Sequence, residues 1–196
     1  MTAAFAAAAT VVVARALRRP ALLADSRLVC IDGPSGSGKT SLAGEVARQA
    51  RADGLTVTVV HLDDVYDGWD GLPTVGGTLL EDVVRPLDER RPAAYRCYDW
   101  YAGQYAGTRS VQPAELVVLE GVGSGHPGFA DLVTLLVWVE APSDVCLRRG
   151  LARDGTEIEP LLLAWRVAED DLHRQEGTRR RADVLVDGVT AETVDR

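Results

Sequence analysis

Every basic residue of this chain is an arginine except one, Lys39. Where arginine could serve, the composition uses it, so position 39 calls for what a guanidinium cannot supply: a compact point charge among phosphate oxygens. The neighbouring residues agree. Gly33, Gly38, Lys39 and Thr40 within "CIDGPSGSGKTSLA" fill the spacing G-x-x-x-x-G-K-[ST], and such a glycine-rich loop wraps backbone N–H groups around an anion. Gly33, Ser35, Gly36, Ser37, Gly38, Lys39, Thr40 and Ser41 are therefore the expected phosphate-binding set. Lys39 is placed to bridge transferring oxygens, and the Thr40 hydroxyl to face Mg²⁺. Chance would produce this pattern in a chain of this length only on the order of once in a hundred sequences.

Two carboxylate clusters could complete a phosphoryl-transfer site. "HLDDVYDGWDGL" offers Asp63, Asp64 and Tyr66, and "VVLEGVGSG" offers Glu120. Transfer to an alcohol needs a group that orients the hydroxyl and accepts its proton, which suits Asp63. It also needs an acid that holds Mg²⁺, which suits Glu120. Taken singly, either carboxylate could be a helix cap or turn residue; the loop at the same predicted edge favours the chemical reading.

The elements that must position these groups follow from apolar patterning. "RLVCID", "TVTVVHL", "AELVVLEG", "LVTLLVWVEA" and "ADVLVDG" read as five strands. "KTSLAGEVARQARADG", "TLLEDVVRPLDERR", "SDVCLRRGLARDG" and "EPLLLAWRVAEDDLHRQEG" read as helices. Continuous Val/Leu strands are covered on both faces, so the expectation is an α/β three-layer fold with a mostly parallel five-stranded sheet. Chemistry in such sheets gathers at the carboxyl ends of the strands. At 196 residues and 46% hydrophobic, the chain is expected to form one domain. Residues 1–20 read as a flanking helix ended by Pro20, because the apolar run is short and its basic residues follow it. The net charge of −8 argues against a nucleic-acid surface, and no membrane association is expected. Cys30, Cys97 and Cys146 have no metal or disulfide spacing and read as thiols of a reducing cytoplasm. His61, His126 and His173 have no metal spacing either and read as loop or surface residues.

"IDGPSGSGKTSLA", "LDDVYDG" with its D-x-x-Y element, "YDW", "VVLEG" and "LRRGLARD" together resemble the uridine kinase branch of the P-loop kinases, relatives of phosphoribulokinase and the P-loop pantothenate kinases. The resemblance runs from about residue 27 to about residue 187. It implies the P-loop fold, ATP and Mg²⁺, Asp63 as base and Glu120 at magnesium. It also implies lid arginines at Arg148, Arg149 and Arg153 (lid region 148–158), and Tyr98 and Trp100 on a substrate hairpin over 95–112. Arg153 is expected to act in catalysis, and Arg149, Tyr66, Tyr98, Trp100 and Asp63 to contact the acceptor. The hairpin departs from the family: the offset at which uridine kinases carry a base-contacting histidine falls on Gly103. The acidic ribose-contacting segment is replaced by "GWDGLPTVGG", where Asp67 and Asp70 could substitute.

A guanine-reading Asn-Lys-x-Asp motif is excluded, since Lys39 is the only lysine. The expectation is an ATP- and Mg²⁺-dependent kinase acting on a small alcohol, foremost a nucleoside, with an oligomer open. The alternatives are a pantothenate-like or sugar-like acceptor, or a catalytically silent nucleotide-binding regulator.

Overall fold

The computed structural model describes residues 5–195. Five parallel strands are present as expected: β1 (Arg27–Asp32), β2 (Val57–His61), β5 (Leu116–Glu120), β6 (Val133–Glu140) and β7 (Val184–Asp187). A sixth, short strand, β8 (Thr193–Asp195), pairs antiparallel with β7 and closes one edge, giving the order β2-β5-β1-β6-β7-β8. A three-residue strand carries too little pattern to be read from sequence. β3 (Ala93–Asp99) and β4 (Gln104–Val111) form a separate antiparallel hairpin that begins just before the expected stretch of 95–112.

Period-two alternation of the strands builds a core on each face of the sheet. On β1, Leu28 and Cys30 enter one core while Val29 and Ile31 enter the other. β5 and β6 divide in the same way: Val117, Leu119, Leu136 and Trp138 face the first core, and Val118, Leu135 and Val137 the second. The second core is closed by α1 (Ala6–Leu17) and α2 (Lys39–Ala52), where Ala8, Ala9 and Ala16 are small enough for close approach of the helices. Residues 1–4 of the expected N-terminal helix lie outside the described residues.

The helix expected at residues 78–91 begins earlier. α3 (Leu72–Leu79) runs through a π-helical turn, Leu80–Val84, into α4 (Arg85–Asp88). Gly76 and Gly77 weaken the helical signal. At Gly76 the glycine is required, because the His126 ring packs where a Cβ would stand. The π turn immediately precedes Pro86, which cannot donate into a regular helical ladder. α5 (Ser143–Asp154), α6 (Glu159–Glu176) and the short α7 (Thr178–Arg181) complete the chain. The lid region holds the end of α5, Gly155 at φ +99° and a 3-10 turn, Thr156–Ile158. No helix among the described residues is long and apolar enough to cross a membrane.

Candidate active site

The glycine loop leaves the sheet at its centre, between β1 and α2. A Cβ on Gly33, at φ +139°, would strike the Val139 carbonyl of β6, so the loop can lie this close to the sheet only without side chains. Lys39, 7% exposed, donates its ammonium to the carbonyls of Gly33 at 2.8 Å and Pro34 at 2.9 Å. Arg149, expected at the substrate, lies behind the loop instead. Its guanidinium donates to Gly36 O at 3.2 Å and Gly188 O at 3.1 Å, and more weakly to Ser37 O. These bonds satisfy loop carbonyls that lie outside the helix and strand ladders. Arg148 is likewise not in the cleft; it pairs with Asp144 one turn back on the exposed face of α5, at 3.2 Å.

Three neighbouring strands bring the carboxylates to this loop. In the parallel register Glu120 stands opposite both His61 of β2 and Ile31 of β1. Glu120 is 3% exposed. Its Oε2 accepts from the Thr40 hydroxyl at 3.3 Å, and its Oε1 lies 2.6 Å from His61 Nδ1. Asp63 sits in a 3-10 turn just past β2. Its side chain is 62% exposed; the protein packed around it and the Glu120 charge raise its pKa, while Lys39 and Arg153 oppose the rise. Arg153 from the end of α5 reaches within 4.0 Å of Asp63 while also pairing with Asp154 at 2.7 Å. Asp64 turns away and pairs with Arg109 of β4. The Thr40 hydroxyl and Glu120 carboxylate are hard oxygen donors beside Lys39, so the residues fit Mg²⁺. Among the described residues no three His, Cys, Asp or Glu side chains form a metal cage.

On the opposite wall the aromatic residues form a chain of edge contacts. Trp100 meets Tyr98 at 5.3 Å and Trp69 at 5.3 Å, and Trp69 meets Trp165 of α6 at 5.9 Å. Trp100 Nε1 donates to Asp63 O at 2.8 Å, tying the hairpin to the turn that carries the carboxylate. Tyr66, expected to contact the acceptor, is 2% exposed. Its hydroxyl donates to Val122 O at 2.9 Å, and its ring meets Trp165 edge-on at 4.9 Å. It is a floor residue, pointed inward because the position three after Asp63 falls on the buried side of the turn. Gly103 sits in the hairpin turn at φ +65°, and Asp67 and Asp70 are exposed.

Residues 76–175, just over half of the chain, match the Phosphoribulokinase / Uridine kinase family. The chain belongs to this family. The matched span holds the hairpin, Glu120, α5 and most of α6, whereas the glycine loop and Asp63 lie outside it. A uridine kinase of Lactobacillus johnsonii is 27% identical over 180 residues, covering 81% of this chain and 85% of the relative. A solved structure described as a possible uridine kinase from Bacillus stearothermophilus superposes at TM-score 0.62 with 22% identity, over 82% of this chain and 88% of that one. D-glycerate 3-kinase from Cryptococcus neoformans var. grubii superposes at TM-score 0.53 with 13% identity, over 100% and 99% of the two chains. The two structural likenesses bear on the fold.

In this P-loop kinase, two buried carboxylates beside the phosphate loop, Asp32 and Glu169, go beyond the residues expected from the sequence, and the three histidines have specific partners. Asp32, fully buried, accepts from Gly33 N at 2.7 Å, Gly123 N at 3.1 Å and Gly125 N at 2.8 Å, and meets His173 Nε2 at 3.1 Å. His173 is 9% exposed and is thus a core partner of Asp32, not a surface residue. His61 is likewise engaged with Glu120. His126, half-buried, lies 3.7 Å from Glu176. Glu169 is 1% exposed and accepts from Ser35 N at 2.9 Å. A signal existed: 165, 169 and 173 share one face of α6 with Leu162, and polar residues on an apolar stripe must find buried partners.

Proposed function

We propose that this kinase uses ATP and Mg²⁺ to phosphorylate an alcohol group of a nucleoside. One observation carries the reading: Lys39 and Thr40 at the start of α2, Glu120 at the end of β5, Asp63 just past β2 and Arg153 at the end of α5 are neighbours, with Thr40 bonded to Glu120 and Arg153 within 4.0 Å of Asp63. The loop N–H groups and Lys39 bind and orient the phosphates, with Lys39 exchanging the carbonyls of Gly33 and Pro34 for phosphate oxygens. Asp63 orients the acceptor hydroxyl and takes its proton as the oxygen attacks the γ-phosphorus and the bond to the β-phosphate oxygen breaks, releasing ADP. Arg153, held near Asp63, supplies positive charge to the equatorial oxygens. Bound Mg²⁺, held by Thr40 and Glu120, would neutralise phosphate charge.

The nucleoside reading is supported by the wall of aromatic rings around Trp100 and by relatives named uridine kinase. A smaller non-nucleoside alcohol is the second reading. It is favoured by the rings' edge-on packing against one another and by Gly103, which puts no side chain at the hairpin turn. A panel of nucleosides, sugars, hydroxy acids and pantothenate, assayed for ADP formation with MgATP, separates them. Turnover confined to nucleosides supports the proposal; turnover only with another alcohol replaces it. ADP release that needs no acceptor would overturn both.

A further inference from the structure

The peptide joining Pro34 to Ser35 is clamped from both sides. Its carbonyl accepts the Lys39 ammonium at 2.9 Å, and its N–H donates to Glu169 at 2.9 Å. Bound phosphates would compete with that carbonyl for Lys39, leaving the Glu169 contact and the Ser37 N–H, which donates to the same carbonyl at 3.1 Å, to hold the peptide plane. A flip of the plane would turn the Pro34 carbonyl away from Lys39 and onto the Glu169 carboxylate, where oxygen repels oxygen. Glu169 is fixed for such a task. It lies on α6 one turn after Trp165, which packs on Tyr66 at 4.9 Å. It lies one turn before His173, which meets the buried Asp32 at the root of the same loop. The helix is thus anchored on either side of Glu169, so the backbone that carries the carboxylate is fixed relative to the loop.

We propose that Glu169 is a positioning residue for the nucleotide phosphates, holding the Pro34–Ser35 peptide of the phosphate loop in the orientation that seats Lys39 for the anion. The inference rests on the reading of this loop as the site of ATP. It assigns Glu169 to nucleotide affinity and not to the acceptor.

Direct titration of the whole chain with MgATP, by calorimetry or a fluorescent ATP analogue, tests it. Glu169→Ala removes the acceptor oxygen and is expected to weaken MgATP binding by about tenfold or more. Glu169→Gln keeps an oxygen that can take the same N–H and is expected to stay within about threefold of wild type. The acceptor KM should be unmoved in both. Glu169→Met fills similar volume without an acceptor and replaces the alanine variant if that variant does not fold. The inference is overturned if the alanine or methionine variant binds MgATP as the wild type does, if glutamine fails as badly as alanine, or if the acceptor KM is what moves. Failure of the wild type itself to bind MgATP would instead sink the proposed function, and this inference with it.

Discussion

Around the phosphate loop the polar groups are sunk into the protein: Asp32 is 0% exposed, Glu169 1%, Glu120 3% and Lys39 7%. Across the cleft, Trp100 is 38% exposed and Tyr101 fully so, and Asp64 and Arg109 pair near the surface. The buried side is a preorganised cradle whose partners are fixed before any ligand arrives, which is where electrostatic stabilisation is strongest. The aromatic side meets solvent through rings that touch edge-on, contacts worth only about 0.5–1.5 kcal/mol each. The first arrangement suits a ligand part common to every turnover. The second leaves the acceptor to be set by a few replaceable side chains, so changes on the two sides should differ in size and in the kinetic constant they move.

The largest expected effect is at Lys39. Lys39→Ala and Lys39→Arg should each lower kcat by about three decades with the fold retained, since a planar guanidinium cannot replace a point charge between phosphate oxygens. A wild-type-like rate in Lys39→Arg, measured by ADP release, would break the assignment of the buried side.

Asp32→Asn should cost about 3 kcal/mol or more of stability, because it removes a buried charge facing His173 and backbone N–H groups. Burial alone would raise the Asp32 pKa, but His173 and the N–H groups of Gly125 and Gly33 outweigh it and hold the carboxyl below its ordinary 3.8. This stabilisation is therefore complete above the unfolded-state value and is lost as pH falls through the lower, folded-state one. Thermal melts between neutral pH and pH 3 should show the wild type converging on the variant in acid. A constant gap would show that the carboxylate's charge is not what stabilises the loop.

Asp63→Asn should lower kcat by about two decades with ATP affinity little changed, and Asp64→Asn should be milder. The reverse order in steady-state kinetics would move the base to Asp64. The smallest effect belongs to the aromatic side: Trp100→Ala should raise the acceptor KM by about fivefold while sparing the KM for ATP. An unchanged acceptor KM would make the hairpin a packed flap and sharpen the contrast between the two sides.

The phosphate loop, Asp63, Glu120 and the five parallel strands were legible because each is encoded locally, by spacing around Gly33 to Thr40 or by a run of Val and Leu before a polar strand end. The early start of α3 was hidden by Gly76 and Gly77, and the need for Gly76 arises from the distant His126 ring. β8 was hidden by its length. Arg149 and Tyr66 were legible as residues near the cleft but not in direction. Which way each points depends on the carbonyls of Gly36 and Gly188 in one case and of Val122 in the other. Local order thus set the motifs and the strand ends on which they stand, since helix and strand periods are properties of adjacent residues. Only tertiary structure decided that Asp32 meets His173 across 141 positions and that Glu169 meets Ser35 across 134. A buried polar atom must be satisfied by whatever the fold brings within about 3 Å, and no sequence interval records that distance.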